Sequence, residues 1–137
     1  MNTLTVTRLG GARVLIVDDD PAILNGLNAA FGRAGSLTQT AGNGDEALRR
    51  IDTFMPNLLV TDIIMPDREG LETIMASRAR NPELKIIAIS GGGRIDSGEF
   101  LSTARALGAD AILRKPFRPS QLLAMADQLL GPDDGGR

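Results

Sequence analysis

The chain has no cysteine and no histidine. Without cysteine there can be no disulfide, thiolate zinc site or cysteine nucleophile. Without histidine there is no Ser-His-Asp triad, no imidazole metal ligand and no phosphohistidine carried by this chain itself. Tyrosine and tryptophan are also absent, which leaves little to stack on a flat cofactor, and no glycine-lysine phosphate loop is present. No basic run exists, and the net charge is −2, so a direct nucleic-acid surface is not expected. Residues 1–11 lack the charged and apolar blocks of a signal peptide, and no apolar run approaches membrane-spanning length. The expectation is a cytoplasmic protein with no membrane contact.

What remains is a chain of 137 residues, 42% of them hydrophobic, enough for one domain with one core. Short apolar runs alternate with helical segments, the pattern of a parallel α/β sheet. Strands are expected at about 13–17, 36–40, 58–61, 85–89 and 110–114. The second is polar enough to be an edge, and the fourth is apolar enough to be covered on both faces. The first helix should open at Pro21 behind Asp20, place Ile23, Leu24, Leu27 and Phe31 on one face, and end near Gly35. The second should follow Asn43, with Glu46 completing a capping box and Ala47, Leu48 and Ile51 buried. The third carries Leu71, Ile74 and Met75 and stops near Asn81-Pro82. The fourth begins at Asp96 or Ser97, and the fifth spans 119–130 with Gly131-Pro132 beyond it.

Charged groups end three of these strands. Asp18-Asp19-Asp20 follow Val14-Leu15-Ile16-Val17, Asp62 follows Leu58-Leu59-Val60-Thr61, and Lys115-Pro116 follow Ala111-Ile112-Leu113-Arg114. In a parallel sheet all three sit at the carboxyl end, where open α/β sheets place ligands. Asp18, Asp19 and Asp62 would crowd negative charge and raise a pKa among them unless a cation intervened. Only oxygen ligands are on offer, which suits Mg2+ better than zinc. Lys115 could hold a phosphoryl oxygen opposite the metal, and Ser90, ending the fourth strand before a run of glycines, offers a hydroxyl to another.

The segments VLIVDDDP, LLVTDIIMPDREG, IIAISGGG and GADAILRKPF, in that order, make the chain similar to the receiver domain of two-component response regulators, chemotaxis receivers included. The resemblance runs from about Arg13 to Leu130. It implies a flavodoxin-like, doubly wound α/β fold: a five-stranded parallel sheet in order 2-1-3-4-5 with five helices. It also implies that residues 13–131 are the receiver, 1–12 an N-terminal extension and 132–137 a flexible tail. Asp62 matches the phosphoacceptor, and Asp18 and Asp19 the metal-binding pair, with Ile64 giving a backbone carbonyl to the metal. Ser90 and Lys115 match the hydroxyl and lysine that meet the phosphoryl group, and Lys115-Pro116 a common cis peptide. The implied donor is a sensor histidine kinase, a histidine phosphotransfer protein or a small acyl phosphate. Output would pass to a downstream protein effector, from a stand-alone receiver that is a monomer or a weak dimer through its helix 4–strand 5–helix 5 face. It would be a switch, and an enzyme only toward its own phosphorylation and dephosphorylation.

The pattern is not met everywhere. Receivers usually place Tyr or Phe three residues before the lysine, where this chain has Ile112. A ring flip cannot carry the switch, so the backbone of residues 90–95 is expected to carry it instead. An apolar Ile64 offers no group to orient hydrolytic water, which predicts a long phosphate lifetime. Two alternatives compete: a magnesium-dependent phosphatase of the haloacid dehalogenase type using Asp18-x-Asp20, and a pseudo-receiver that only binds partners. Pro21 after that motif and the lack of room for a cap count against the phosphatase. The full acidic set with Ser90 and Lys115 counts against the pseudo-receiver.

Overall fold

Strands and helices alternate strictly along the computed structural model, which describes residues 8–63, 70–91 and 97–131, with side chains from Ser102 onward in the last stretch. They are β1 (Arg13–Val17), α1 (Pro21–Arg33), β2 (Leu37–Ala41), α2 (Gly44–Phe54), β3 (Leu58–Asp62), α3 (Gly70–Arg80), β4 (Lys85–Ser90), α4 (Ser97–Leu107), β5 (Ala111–Arg114) and α5 (Pro119–Leu130). All strands are parallel, and the sheet order is β2-β1-β3-β4-β5. This is the expected 2-1-3-4-5 order with five helices. The order reverses between β1 and β3, so their carboxyl ends form the crevice of a doubly wound sheet.

Successive strand residues point to opposite faces, and two cores result. Leu15, Val17, Leu59, Ile63, Ile86 and Ala88 pack with Leu48 and Ile51 of α2, Ile74 of α3 and Ala104 of α4. Val14, Ile16, Leu58, Val60, Ile87 and Ile89 pack with Leu27 and Phe31 of α1 and Leu122 and Ala126 of α5. The central strands are buried on both faces, which is why they read as continuous apolar runs.

Local signals explain most boundaries. Asp20 caps α1 by accepting from Ala22 N at 2.9 Å, with Pro21 in the first turn. Gly35, at φ +94°, turns the chain out of α1 in a conformation other residues rarely adopt. Asn43 caps α2 by accepting from Glu46 N at 2.8 Å. The Glu46 carboxylate reaches one residue past the cap, to Gly42 N at 2.9 Å.

Two expected strand starts need correction, and α3 adds a finding. β2 starts at Leu37 because the Ser36 main-chain N–H donates back to Phe31 O at 3.1 Å, in the turn out of α1, while its hydroxyl donates to Leu9 O at 2.7 Å. β5 starts at Ala111 because the Asp110 carboxylate accepts from Ile86 N and from Arg78. On α3, Gly70, Thr73, Ile74 and Ser77 are buried, while Met75 is 51% exposed.

The amino end of the sheet is stitched together by main-chain bonds and by the side chains of Asn57 and Arg78. Asn57 Oδ1 accepts from Arg13 N at 2.8 Å, its N–H donates to Arg13 O at 2.8 Å, and its carbonyl accepts from Lys85 N at 3.2 Å. Arg78 donates to Pro82 O, Leu84 O, Gly108 O and Asp110 Oδ2, at 2.6–2.9 Å. Within the segment expected as an extension, Leu9 is buried in the α1–α5 core, and Arg8 N donates to Asp127 Oδ1. Ile64, the loop after Gly91 through Asp96, and the tail from Pro132 lie outside the described residues.

Candidate functional site

The three consecutive aspartates after β1 have three different jobs. Asp20 is spent on the α1 cap. Asp18 is buried, only 2% exposed, and its Oδ1 accepts from Asp20 N at 2.9 Å, which turns the other oxygen inward. Asp19 is exposed. Asp62, the last residue of β3, is 6% exposed. Carboxylate oxygens of Asp18, Asp19 and Asp62 all lie within 4.8 Å of one another, so one ion could touch all three.

Lys115 reaches this cluster from the end of β5. Its Nζ lies 3.5 Å from Asp18 Oδ2 and 3.7 Å from Asp62 Oδ2. Both distances exceed the 2.7–2.9 Å typical of a tight charge-assisted hydrogen bond, so the ammonium is drawn between the two carboxylates without being clamped to either. Its backbone is fixed: Lys115 N donates to Ser90 O at 2.8 Å, and the Lys115-Pro116 peptide is cis, as expected.

Charge is poorly compensated here. Burial away from water pushes the Asp62 carboxyl up to about 6, and the neighbouring Asp18 and Asp19 charges push the same way. The Lys115 ammonium acts against this without cancelling it. Asp18 is raised too, chiefly by burial. Among the described residues, two buried carboxylates face one cation, which leaves the site short of positive charge. The donors that the described residues offer are carboxylate oxygens, which suit a hard divalent ion.

Ser90 is buried at the end of β4, its hydroxyl donating to Gly91 O at 3.3 Å. Before it could meet a ligand at the cluster it would have to leave that bond. Ile112 pairs with Ala88 across β4 and β5, two residues before Ser90, and packs against the α2–α4 core. The structure thus brings together Asp18, Asp19, Asp62 and Lys115, with Ser90 tied to Lys115 through the backbone.

The comparisons with known proteins agree with this geometry. The family profile described as Response regulator receiver domain matches residues 14–127. Response regulator MprA of Mycolicibacterium vanbaalenii is 35% identical over 126 residues, covering 90% of this chain and 53% of that protein. DNA-binding transcriptional regulator NtrC of Azospirillum brasilense is 31% identical over 122 residues, covering 89% of this chain and 25% of that protein. The chain therefore spans between a quarter and about half of these two curated relatives. Among solved structures, a CheY-like receiver domain protein from Methanospirillum hungatei superposes with a TM-score of 0.82 at 32% identity, covering 88% of this chain and 94% of that one. The match favours neither the phosphatase nor the pseudo-receiver alternative. With sheet order, acidic crevice and similarity in agreement, the chain belongs to the response regulator receiver domains, the signalling modules of two-component systems.

Proposed function

We propose that Asp62 is the phosphoacceptor of this receiver and that Asp18, Asp19 and Asp62 hold Mg2+ while the phosphoryl group arrives. The observation that carries this reading is the Lys115 ammonium poised between Asp18 and Asp62, beside a cluster of three carboxylates that it alone faces among the described residues. Bound magnesium would neutralise the excess carboxylate charge and the phosphoryl oxygens facing it.

An Asp62 oxygen attacks phosphorus in line and forms a P–O bond to the carboxyl. The P–N bond of a donor phosphohistidine breaks, its electron pair returning to the imidazole, or the P–O bond of a small acyl phosphate breaks, releasing its carboxylate. Lys115 shifts from the carboxylates to a phosphoryl oxygen. The Ser90 hydroxyl leaves Gly91 O and donates to another. Water later cleaves the acyl phosphate and restores the Asp62 carboxylate. The donor in this reading is a sensor histidine kinase or a phosphotransfer protein in the cytoplasm, and the phosphorylated form changes how the α4–β5–α5 side binds an effector or a second copy. The chain speeds only reactions of its own phosphoryl group.

The test is intact-protein mass after incubation with acetyl phosphate and magnesium. The wild type should gain one phosphoryl group, and Asp62→Asn none. An adduct that persists in Asp62→Asn would place the acceptor elsewhere.

A further inference from the structure

The chain leaves β3 at Asp62 and comes back to it at Gly70, the first residue of α3. Gly70 N donates to Ile63 O at 2.5 Å, so the connection closes at its own base. Gly70 is buried, and a β-carbon there would overlap Asp62 O, Ile63 Cα and Ile63 O at once. All three are backbone atoms, which cannot swing aside as the tip of a flexible side chain can. They are also held from other directions. Ile63 N donates to Ile89 O at 2.9 Å, tying this peptide to β4. The Thr61 hydroxyl, fully buried, donates to Asp62 O at 3.0 Å.

From this convergence we infer that Gly70 is a positioning residue for Asp62: having no side chain, it lets the start of α3 close on the Asp62–Ile63 peptide, and that closure holds the acceptor carboxylate where Asp18 and Lys115 meet it. The inference rests on the reading of Asp62 as acceptor. Any side chain at position 70 must move either α3 or the end of β3. The ladder to β4 resists movement of β3, and whatever shift remains falls on the peptide that carries the carboxylate. Thr61 is the second part of the same seat. Its hydroxyl bonds the acceptor's own carbonyl, and a valine would keep its volume and lose that bond.

The experiment compares Gly70→Ala and Thr61→Val with Ala79→Gly, an exposed α3 position where the change weakens the helix but reaches nothing at the site. Three quantities are read: backbone amide shifts of Asp62, Ile63 and Ile89 without ligand, magnesium affinity, and the rate of adduct formation from acetyl phosphate, each beside the thermal midpoint. Gly70→Ala should move the three amides, weaken magnesium at least about tenfold and slow the adduct further. Thr61→Val should do the same to a lesser degree, and Ala79→Gly should do neither. Unmoved amides with magnesium affinity within about twofold of wild type in Gly70→Ala would overturn the inference. So would equal losses in Ala79→Gly at a matched midpoint. If Gly70→Ala does not fold, Thr61→Val decides: shifted amides support the seat, unshifted ones refute it. A wild type that takes no phosphoryl group and binds no magnesium would sink the proposed function, and the amide shifts would still answer the positional question.

Discussion

The two ends of this sheet treat polar groups in opposite ways. At the amino end, Arg78 satisfies three carbonyls and one carboxylate, and Asn57 links the starts of β1 and β4. At the carboxyl end, Asp18 and Asp62 share one ammonium at 3.5 and 3.7 Å, and the Asp62 carboxyl is pushed up to about 6. One end is closed by saturated hydrogen bonds, while the other is left in electrostatic conflict. A chain can tolerate conflict in a site that a ligand later relieves if another part of the fold supplies the stability.

The largest effect that would test this division comes from Arg78→Ala. It would remove a charged donor from Leu84 O and Gly108 O and leave the exposed Asp110 carboxylate with Ile86 N, for an expected loss of about 3 kcal/mol. Urea denaturation measures it. Phosphoryl uptake per folded molecule should stay at the wild-type level, and a fall in that ratio would show that the two ends are coupled.

A smaller effect should appear at the open end. Because the folded-state pKa of Asp62 lies above its ordinary value of 3.8, the folded protein holds the extra proton between about pH 4 and 6. Metal-free stability therefore falls as pH rises through that window, and the penalty is complete above it. Asp18, also raised, adds to the same trend. Asp62→Asn should flatten the slope and gain about 1–2 kcal/mol at neutral pH, the shift being discounted for partial screening. Denaturation midpoints at several pH values, with and without magnesium, measure this. A gain from Asp62→Asn that is the same at pH 4 and pH 7 would contradict it.

The smallest effect concerns neither end. Ser77 Oγ is fully buried on α3 and has no hydrogen-bond partner among the described residues. Ser77→Ala should stabilise by about 0.5–1 kcal/mol, read as a higher thermal midpoint with unchanged phosphorylation.

Ser77 also shows where the sequence stops being legible. Leu71, Ile74 and Met75 have the spacing of a buried stripe, yet the buried stripe of α3 includes Thr73 and Ser77. Small residues allow α3 to approach its neighbours closely, and hydrophobicity alone does not signal that. Strand positions were legible to about one residue because a doubly covered strand must be apolar throughout. The aspartates and Lys115 were legible because strand ends in a parallel sheet converge. Leu9 was not, being a leucine between Arg8 and two glycines with no period to mark it. Neither was the Arg78–Asp110 pair, which is 32 residues apart in sequence. Ile112 departs from the family pattern in the sequence, and the structure places it in the α2–α4 core.

Asn57 has one more consequence. A parallel sheet has no hairpins to set its alignment, because each strand returns only after a helical crossover. A slip of one residue would turn every buried side chain to the wrong face. Asn57 contacts the first residue of β1, 44 positions earlier, and the first of β4. It acts as the zero mark from which three strands are counted. Asp18 and Asp62 arrive side by side at the far end because Arg13, Asn57 and Lys85 are in step at the near one.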